Sequence, residues 1–175
     1  MFEILWHGRG GQGAFTAARL LGAAYSLYED NRFALAFPSF GPERRGAPVR
    51  AFTKLSEAKI GDRSELSTAD IVVYLDDTLF NDNAFSSLKA NGRIILSTKK
   101  IITDPRVVCI DAVSIAERIL GLPITNTVLL GAVAAVCDRI SVESVIKAIQ
   151  DNMPPKLQKK NIEAVNVAFS QVVGE

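Results

Sequence analysis

The glycine-rich segment from His7 to Gly13 is the part of the sequence best suited to bind a ligand. It reads His-Gly-Arg-Gly-Gly-Gln-Gly and has the spacing GxGxxG between an apolar run and a segment of helical period. Glycines let the backbone approach a ligand closely, and the free N–H groups at a helix start attract phosphate. The spacing predicts a phosphate-binding turn, and the alternative is a tight connection without a ligand. The candidate binding residues are Gly8, Arg9, Gly10, Gly11, Gln12 and Gly13.

The acidic residue of a dinucleotide-binding domain has no well-placed counterpart. Such domains carry an Asp or Glu about 20 residues beyond the glycines, near the end of the second strand, where it binds the ribose hydroxyls. Here the second apolar run ends in Pro38, and Glu29 and Asp30 come before it. An NAD-linked dehydrogenase is therefore disfavoured, while the pyrophosphate of another adenine nucleotide remains open.

A second candidate segment runs from Phe37 to Pro48 and contains three prolines that restrict its backbone. Its charged side chains could present an arginine fork to a carboxylate or a phosphate. An ordinary solvated loop is the alternative, since charged loops usually lie in water. The restricted backbone favours a binding or docking role. The candidate binding residues are Glu43, Arg44 and Arg45.

No pairing of a nucleophile with a base is evident, and we predict no catalytic residue in this chain. His7 lies at a strand end, where a lone histidine is more often structural. Asp76 and Asp77 follow a buried apolar run and are expected to cap the next helix. Cys109 and Cys137 fit core positions and, with a single histidine, cannot supply a zinc site or an iron–sulfur cluster. Any redox metal is therefore expected on another chain.

The alternation of short apolar runs with segments of helical period predicts an α/β fold. We expect one three-layer Rossmann-like domain over residues 1–175, with a mostly parallel sheet and a helical C-terminal part. Strands are predicted at residues 2–6, 33–37, 49–53, 70–75, 93–97 and 107–110. Helices are predicted at residues 14–28, 77–90, 112–120, 126–137, 141–152 and 156–173.

Composition limits the classes of protein to consider. The chain has 175 residues, of which 48% are hydrophobic, and it carries 20 basic against 19 acidic side chains. These values disfavour disorder and a nucleic-acid binder held by bulk charge. The longest apolar run, residues 128–137, is about half of what a membrane crossing needs. The N-terminus does not read as a signal peptide, so we expect a cytoplasmic protein.

The two candidate segments together are similar to those of a known family. The GxGGQG turn resembles that of the gamma subunits of 2-oxoacid:ferredoxin oxidoreductases, and the ERxGAP core at residues 43–48 resembles the pyruvate:ferredoxin oxidoreductase (pyruvate synthase) branch. Residues 123–132 are similar to the segment that leads into a late helix of the family. The resemblance covers essentially the whole chain.

The resemblance implies a multisubunit enzyme that converts pyruvate and coenzyme A to acetyl-CoA and CO2 while reducing ferredoxin. In such enzymes thiamine diphosphate, magnesium and the 4Fe–4S clusters belong to the thiamine-binding alpha and beta subunits and the ferredoxin-like delta subunit. This chain would be an accessory subunit that helps bind coenzyme A phosphates or only shapes the interface. The alternatives are a gamma subunit for 2-oxoisovalerate, 2-oxoglutarate or indolepyruvate, and a stand-alone nucleotide-binding module.

Overall fold

The computed structural model describes residues 1–28, 31–39 and 45–174. The acidic pair Glu29 and Asp30 and the predicted binding residues Glu43 and Arg44 lie outside the described residues.

The described residues form one six-stranded sheet in the order β2-β3-β1-β4-β5-β6. The strands are β1 (Phe2–Arg9), β2 (Phe33–Pro38), β3 (Pro48–Ser56), β4 (Ala69–Tyr74), β5 (Leu88–Ser97) and β6 (Val107–Ile110). Strands β1, β4, β5 and β6 run parallel, whereas β3 is antiparallel to both of its neighbours. The predicted α/β class and the mostly parallel sheet are confirmed, with an antiparallel pair added at one edge.

Five α-helices of the described residues cover one face of this sheet. They are α1 (Ala14–Ser26), α2 (Ala112–Leu120), α3 (Asn126–Val136), α4 (Val142–Asn152) and α5 (Pro155–Val173). Alternate residues of each strand point to opposite faces, so Ile4 and Trp6 pack against the helices while Leu5 packs on the other side. That third layer consists of loops and short 3₁₀-helices, which contribute Leu66 and Ala84. The predicted helical C-terminal part is confirmed.

The helix predicted at residues 77–90 is wrong. Two 3₁₀-helices, Asp77–Leu79 and Ala84–Ser87, occupy the segment, and β5 begins at Leu88. The reason lies in residues 81–83, Asn-Asp-Asn, because such short polar side chains bond nearby backbone groups and favour turns over helix. The side-chain oxygen of Asn81 accepts a 2.9 Å hydrogen bond from the N–H of Asn83.

Helix α3 crosses α5 at very close range through Gly131. A Cβ on Gly131 would lie 2.3 Å from the carbonyl oxygen of Val165, too close for any side chain unless the helices separate. Gly22, in the middle of α1, faces only side chains of the sheet, at 3.5 Å or more. An alanine Cβ at position 131 would therefore clash with the backbone of α5, whereas one at position 22 would make ordinary contacts with side chains of the sheet.

We predict opposite effects of Gly131→Ala and Gly22→Ala on stability. Alanine stabilises a helix interior by about 1 kcal/mol relative to glycine, so we expect Gly22→Ala to raise the free energy of unfolding by about that amount. In Gly131→Ala the overpacking against α5 costs about 1–3 kcal/mol and outweighs that gain. Urea unfolding of the three proteins measures the difference, with Gly22→Ala as the matched control. Equal stability of both variants would contradict the close α3–α5 contact.

Candidate functional site

The glycine turn, residues 8–13, joins β1 to α1 at the carboxyl end of the parallel strands. Gly11 and Gly13 have φ values of +96° and +81°, in the left-handed region that favours glycine. Gly13 is the N-cap of α1 and carries no capping side chain, and the first turn of α1 has no acidic residue. The positive end of the helix dipole thus faces the turn without a neutralising group of its own helix.

The second loop lies directly against the glycine turn. The N–H of Gly10 donates to the carbonyl of Ala47 at 2.8 Å, and the N–H of Gly46 donates to the carbonyl of Gly10 at 3.1 Å. The exposed Arg45 forms a parallel bridge with Gly10. The structure therefore brings together two segments that the sequence analysis singled out separately.

The side chain of Arg9 binds the protein's own groups. Its Nε donates to Oδ2 of Asp76 at 3.1 Å, and its Nη2 donates to Oγ1 of Thr78 at 2.7 Å. Its Nη1 donates to the carbonyl of Gly46 at 3.1 Å. Three of the five guanidinium N–H groups are thus used, and one carboxylate faces the charge. Arg9 ties β1 to the end of β4 and to the second loop, and its predicted contact with a ligand stays a prediction.

Gln12 completes this arrangement, which we name the Arg9 cluster: Arg9, Gln12, Asp76 and Thr78. The side-chain oxygen of Gln12 accepts from the N–H of Arg9 at 2.7 Å, and its Nε2 donates to Oδ2 of Asp76 at 3.1 Å. Gln12, predicted as a ligand-binding residue, therefore stabilises the turn through hydrogen bonds within the protein. The cluster fixes the turn by joining two of its own side chains, Arg9 and Gln12, to the segment that follows β4.

Asp76 has both the predicted role and a second one. It caps the 3₁₀-helix at residues 77–79 by accepting a hydrogen bond from the N–H of Thr78 at 3.0 Å, although the longer helix that it was predicted to cap is absent. Burial raises the pKa of Asp76, but hydrogen bonds from Thr78 and Gln12 and the charge of Arg9 outweigh it, so the pKa lies below its usual value. The carboxylate is therefore the charged centre of the cluster. The signal for this role was its place at the carboxyl end of β4.

Asn126, at the start of α3, supports the turn from the helical side. Its Nδ2 lies 3.5 Å from the carbonyl oxygen of Gly13, and a Cβ on Gly13 would lie 2.5 Å from the same atom. The neighbouring Thr125 donates to the carbonyl of Leu75 at 3.3 Å. No sequence pattern assigned Asn126 to the site, although this residue lies in the third segment that resembles the family.

A cavity of about 210 Å³ opens on the glycine turn and the first turn of α1. Pro38, Val49 and Arg50 form its other wall. Arg50 is partly exposed and pairs with Glu65 at 2.6 Å. Among the described residues no Asp or Glu lines this cavity. Its walls combine backbone N–H groups with the guanidinium groups of Arg9 and Arg50, each of which is paired with a carboxylate outside the lining. These are the groups that bind phosphate.

His7 lies at the carboxyl end of β1 beside Tyr74 of β4. The two rings are stacked with centroids 4.6 Å apart and an angle of 6° between planes. Burial, together with the nearby charge of Arg50, lowers the pKa of His7 to about 4. The imidazole is therefore neutral at physiological pH. Its Nε2 is buried and has no hydrogen-bond partner among the described residues.

The remaining sequence expectations concern cysteines, metals and membranes. Cys137 is buried in the core under the helices, whereas Cys109 of β6 is half-buried on the opposite face of the sheet, and the two thiols are free. Among the described residues there is no group of three or more His, Cys, Asp or Glu side chains arranged to hold a metal. In the same part of the chain no helix has the length and apolar character of a membrane span.

Comparisons with known proteins identify the family. The model of the pyruvate ferredoxin/flavodoxin oxidoreductase family matches residues 3–171. The chain is 45% identical to a pyruvate synthase subunit PorC of Methanothermobacter marburgensis over 175 residues, which cover 98% of each chain. It is 42% identical to a pyruvate/ketoisovalerate oxidoreductases common subunit gamma of Thermococcus litoralis, over 99% of this chain and 98% of that one.

A solved structure agrees with these sequence relatives. The crystal structure of a pyruvate oxidoreductase subunit PORC from Thermotoga maritima matches with a TM-score of 0.79 and 31% identity, covering 99% of this chain and 96% of that one. The resemblance drawn from the glycine turn and the second loop is confirmed. The chain belongs to the pyruvate ferredoxin/flavodoxin oxidoreductase family.

Proposed function

We propose that the chain is the gamma subunit of a pyruvate:ferredoxin oxidoreductase, which converts pyruvate and coenzyme A to acetyl-CoA and CO2 and reduces ferredoxin. The observation that carries this proposal is 45% identity to a pyruvate synthase subunit over 98% of both chains. In the proposed assembly, thiamine diphosphate, magnesium and the 4Fe–4S clusters lie on thiamine-binding alpha and beta subunits and a ferredoxin-like delta subunit. The chain acts as one cytoplasmic domain.

Within that assembly the glycine turn receives phosphates of coenzyme A. The uncapped start of α1 supplies backbone N–H groups, and the 210 Å³ cavity beside it has no lining carboxylate among the described residues. Arg45 lies at the turn through its bridge to Gly10, and Arg50 lines the same cavity. Glu43 and Arg44 of the second loop remain part of the proposed binding residues, with Gly8, Arg9, Gly10, Gly11, Gln12 and Gly13.

The Arg9 cluster gives this role its rigidity. A backbone site binds well only when its N–H groups are held in place before the ligand arrives. The cluster joins the turn to β4 and to the second loop at 2.7–3.1 Å. The competing role for the same residues is architectural, with the turn and the loop shaping a subunit interface.

A gamma subunit that serves a second 2-oxoacid is the alternative function. The relative from Thermococcus litoralis is named as a subunit common to pyruvate and ketoisovalerate oxidoreductases. A gamma subunit that is common to two such enzymes supports placing substrate choice on the thiamine-binding subunits. Assay of the native complex with pyruvate and with 2-oxoisovalerate separates the two functions.

We predict that the tagged chain, purified gently from its native cell without oxygen, elutes as a brown complex with a thiamine-binding subunit. The iron–sulfur clusters of the partners give the visible absorbance, and mass spectrometry identifies the co-eluting chains. A colourless, solitary protein under the same conditions would contradict the proposal and favour a stand-alone nucleotide-binding module.

We predict that Gly11→Asp combined with Arg45→Ala raises the KM for coenzyme A of the assembled enzyme at least tenfold, because a charge is added and a charge-assisted contact of about 1.5–3 kcal/mol is lost. The KM for pyruvate is expected to stay unchanged. Gly11→Asn with Arg118→Ala is the control. It places a neutral residue at the same positive-φ position and removes an exposed arginine of α2 that does not line the cavity on the turn. An unchanged KM for coenzyme A with impaired assembly would support the architectural role instead.

We predict that Asp76→Asn lowers the free energy of unfolding by about 1–3 kcal/mol at neutral pH, because the donors of Arg9 and Gln12 lose their charged acceptor. The folded-state pKa of Asp76 is depressed, so the stabilisation exists above its ordinary pKa of 3.8 and is lost as the pH falls below that value. Urea unfolding at pH 7 and at pH 3 measures both effects. Asp82→Asn is the control, since that exposed carboxylate makes no hydrogen bond or ion pair among the described residues. An equal difference between wild type and Asp76→Asn at both pH values would contradict this role.

A further inference from the structure

A second cavity opens at the carboxyl ends of β4, β5 and β6, and its volume is about 410 Å³. Residues that directly follow β4 and β6, and the last residue of β5, supply part of its walls. The Arg9 cluster separates it from the cavity on the glycine turn, since Gln12 and Asp76 line the one and Arg9 lines the other. We name it the Ser97 pocket, and the lining residues that matter here are Asp77, Ser97, Asp111 and Pro123.

Ser97 carries a buried hydroxyl group that has no partner within the described part of the chain. The residue is 5% exposed and lines the pocket, yet its Oγ makes no hydrogen bond to a described residue. The hydroxyl of its neighbour Thr98 donates to Oδ2 of Asp77 at 2.9 Å and accepts from the N–H of Lys100 at 3.2 Å. A buried polar group without a partner costs free energy, so the free hydroxyl of Ser97 indicates that another group enters the pocket.

The other free groups of the pocket are carboxylate oxygens. Oδ2 of Asp77 accepts from Thr98, while its Oδ1 makes no hydrogen bond within the described residues. Oδ1 of Asp111 caps α2 by accepting from the N–H of Ser114 at 3.1 Å. Oδ2 of Asp111 makes no hydrogen bond in the same part of the chain. The pocket therefore offers two negatively charged acceptors beside the hydroxyl of Ser97.

Two exposed lysines near the pocket leave these carboxylates incompletely paired. Nζ of Lys99 lies 3.7 Å from Oδ2 of Asp111, and Nζ of Lys100 lies 4.0 Å from Oδ2 of Asp77, so neither contact is a hydrogen bond. The lysine side chains are 72% and 81% exposed, whereas both aspartates are 35% exposed. Ion pairs with such exposed partners contribute little, because water solvates the ammonium groups. A cation that enters the pocket can therefore displace both lysines.

The acceptors of the pocket favour a guanidinium group over a metal ion. Among the described residues no group of three or more His, Cys, Asp or Glu side chains is arranged to hold a metal. A guanidinium carries five N–H donors in one plane, enough for the carboxylates of Asp77 and Asp111 and the hydroxyl of Ser97. An ammonium group has three donors and is more strongly hydrated, so it gains less from leaving water.

Exposed apolar side chains beside the pocket favour a protein surface as the source of the guanidinium. Pro123 lines the pocket, and its neighbours Leu122 and Ile124 are 55% and 40% exposed. An arginine that enters a pocket with apolar contacts around it is a common anchor of protein–protein interfaces. The pocket and the two apolar side chains therefore match an arginine on the surface of another protein.

We propose that the Ser97 pocket receives the guanidinium group of an arginine from a partner subunit, while apolar side chains of the same partner segment cover Leu122 and Ile124. The proposal rests on the proposed function, in which the chain is one subunit of a multisubunit enzyme. Charge complementarity supports it, because no described cation lies within hydrogen-bond distance of the carboxylates of Asp77 and Asp111. The alternative occupant of the pocket is ordered water.

A small guanidinium compound tests the preference of the pocket on the free chain. Backbone amide resonances are recorded by NMR on the full chain during titration with ethylguanidinium at constant ionic strength, and separately with ethylurea, its uncharged analogue. We expect ethylguanidinium to shift the resonances of Ser97 and Asp111 saturably with roughly millimolar affinity, as for a fragment of few atoms, and ethylurea to leave them unchanged. Absence of a saturable shift, or equal shifts with both compounds, overturns the proposal.

Asp77→Asn combined with Asp111→Asn tests the pocket in the assembled enzyme. Asparagine keeps a side-chain oxygen for the hydroxyl of Thr98 and the N–H of Ser114, so the variant loses the charges and retains these hydrogen bonds. The rate at which labelled chain leaves the purified native complex is measured by exchange against excess unlabelled wild-type chain. We expect this rate to rise at least tenfold, because loss of one member of a buried charge pair acts mainly on dissociation. Ser97→Ala is expected to raise it about three- to tenfold, the effect of one lost hydrogen bond.

Asp82→Asn combined with Asp138→Asn is the matched control. It removes the same number of charges from exposed carboxylates that do not line the pocket, and it is expected to dissociate at the wild-type rate. A wild-type rate in the pocket variant, or equal acceleration in the pocket and control variants, overturns the proposal. Far-UV circular dichroism verifies that each variant is folded.

Failure of this proposal is distinguishable from failure of the proposed function. If the native complex is brown and active with pyruvate but the pocket variant dissociates at the wild-type rate, the arginine pocket is wrong and the gamma-subunit function stands. If the tagged chain elutes alone and colourless, the proposed function fails, whereas saturable binding of ethylguanidinium would still support a guanidinium pocket.

Discussion

The ion pair between Arg9 and Asp76 is the interaction on which the candidate site depends. Its two side chains are 34% and 18% exposed, so water only partly screens the 3.1 Å contact. Arg9 ends β1, Asp76 follows β4, and the guanidinium also holds a carbonyl of the second loop. This one ion pair therefore joins three chain segments that meet at the carboxyl edge of the sheet. It also holds the backbone N–H groups of the turn in place.

The sheet topology explains the position of the Arg9–Asp76 ion pair. Strands β1 and β4 are parallel neighbours, so their carboxyl ends meet at the same edge, which is where open α/β sheets bind ligands. The antiparallel β3 begins at that edge and brings the second loop beside the turn. Asn126, at the start of α3, contacts the carbonyl oxygen of Gly13 from the helical side of the turn. The site is thus assembled from four parts of the chain around a glycine turn that has little side-chain bulk.

Local patterns predicted the elements well where periodicity and turn chemistry agree. The first strand, the GxGxxG turn and α1 follow one another within residues 2–26, and each is determined by neighbours in sequence. The helix predicted at residues 77–90 failed because the apolar spacing there is helical while the Asn-Asp-Asn run favours turns. The partners of Arg9 and Gly13 could not be predicted at all, since they lie 67 and 113 residues away in sequence. Such pairings arise only when the sheet brings distant strand ends together.

The positive φ angles of Gly11 and Gly13 have a consequence for how this surface can be studied. The main-chain N–H groups of the turn cannot be removed by truncating side chains or modified by group-specific reagents, which reach only the side chains around them. Access to these N–H groups depends on the absence of Cβ atoms, so substitutions that add bulk or charge at the glycines are needed to test their contribution. Two family members can therefore differ in most surface side chains around this edge and still present the same recognition surface.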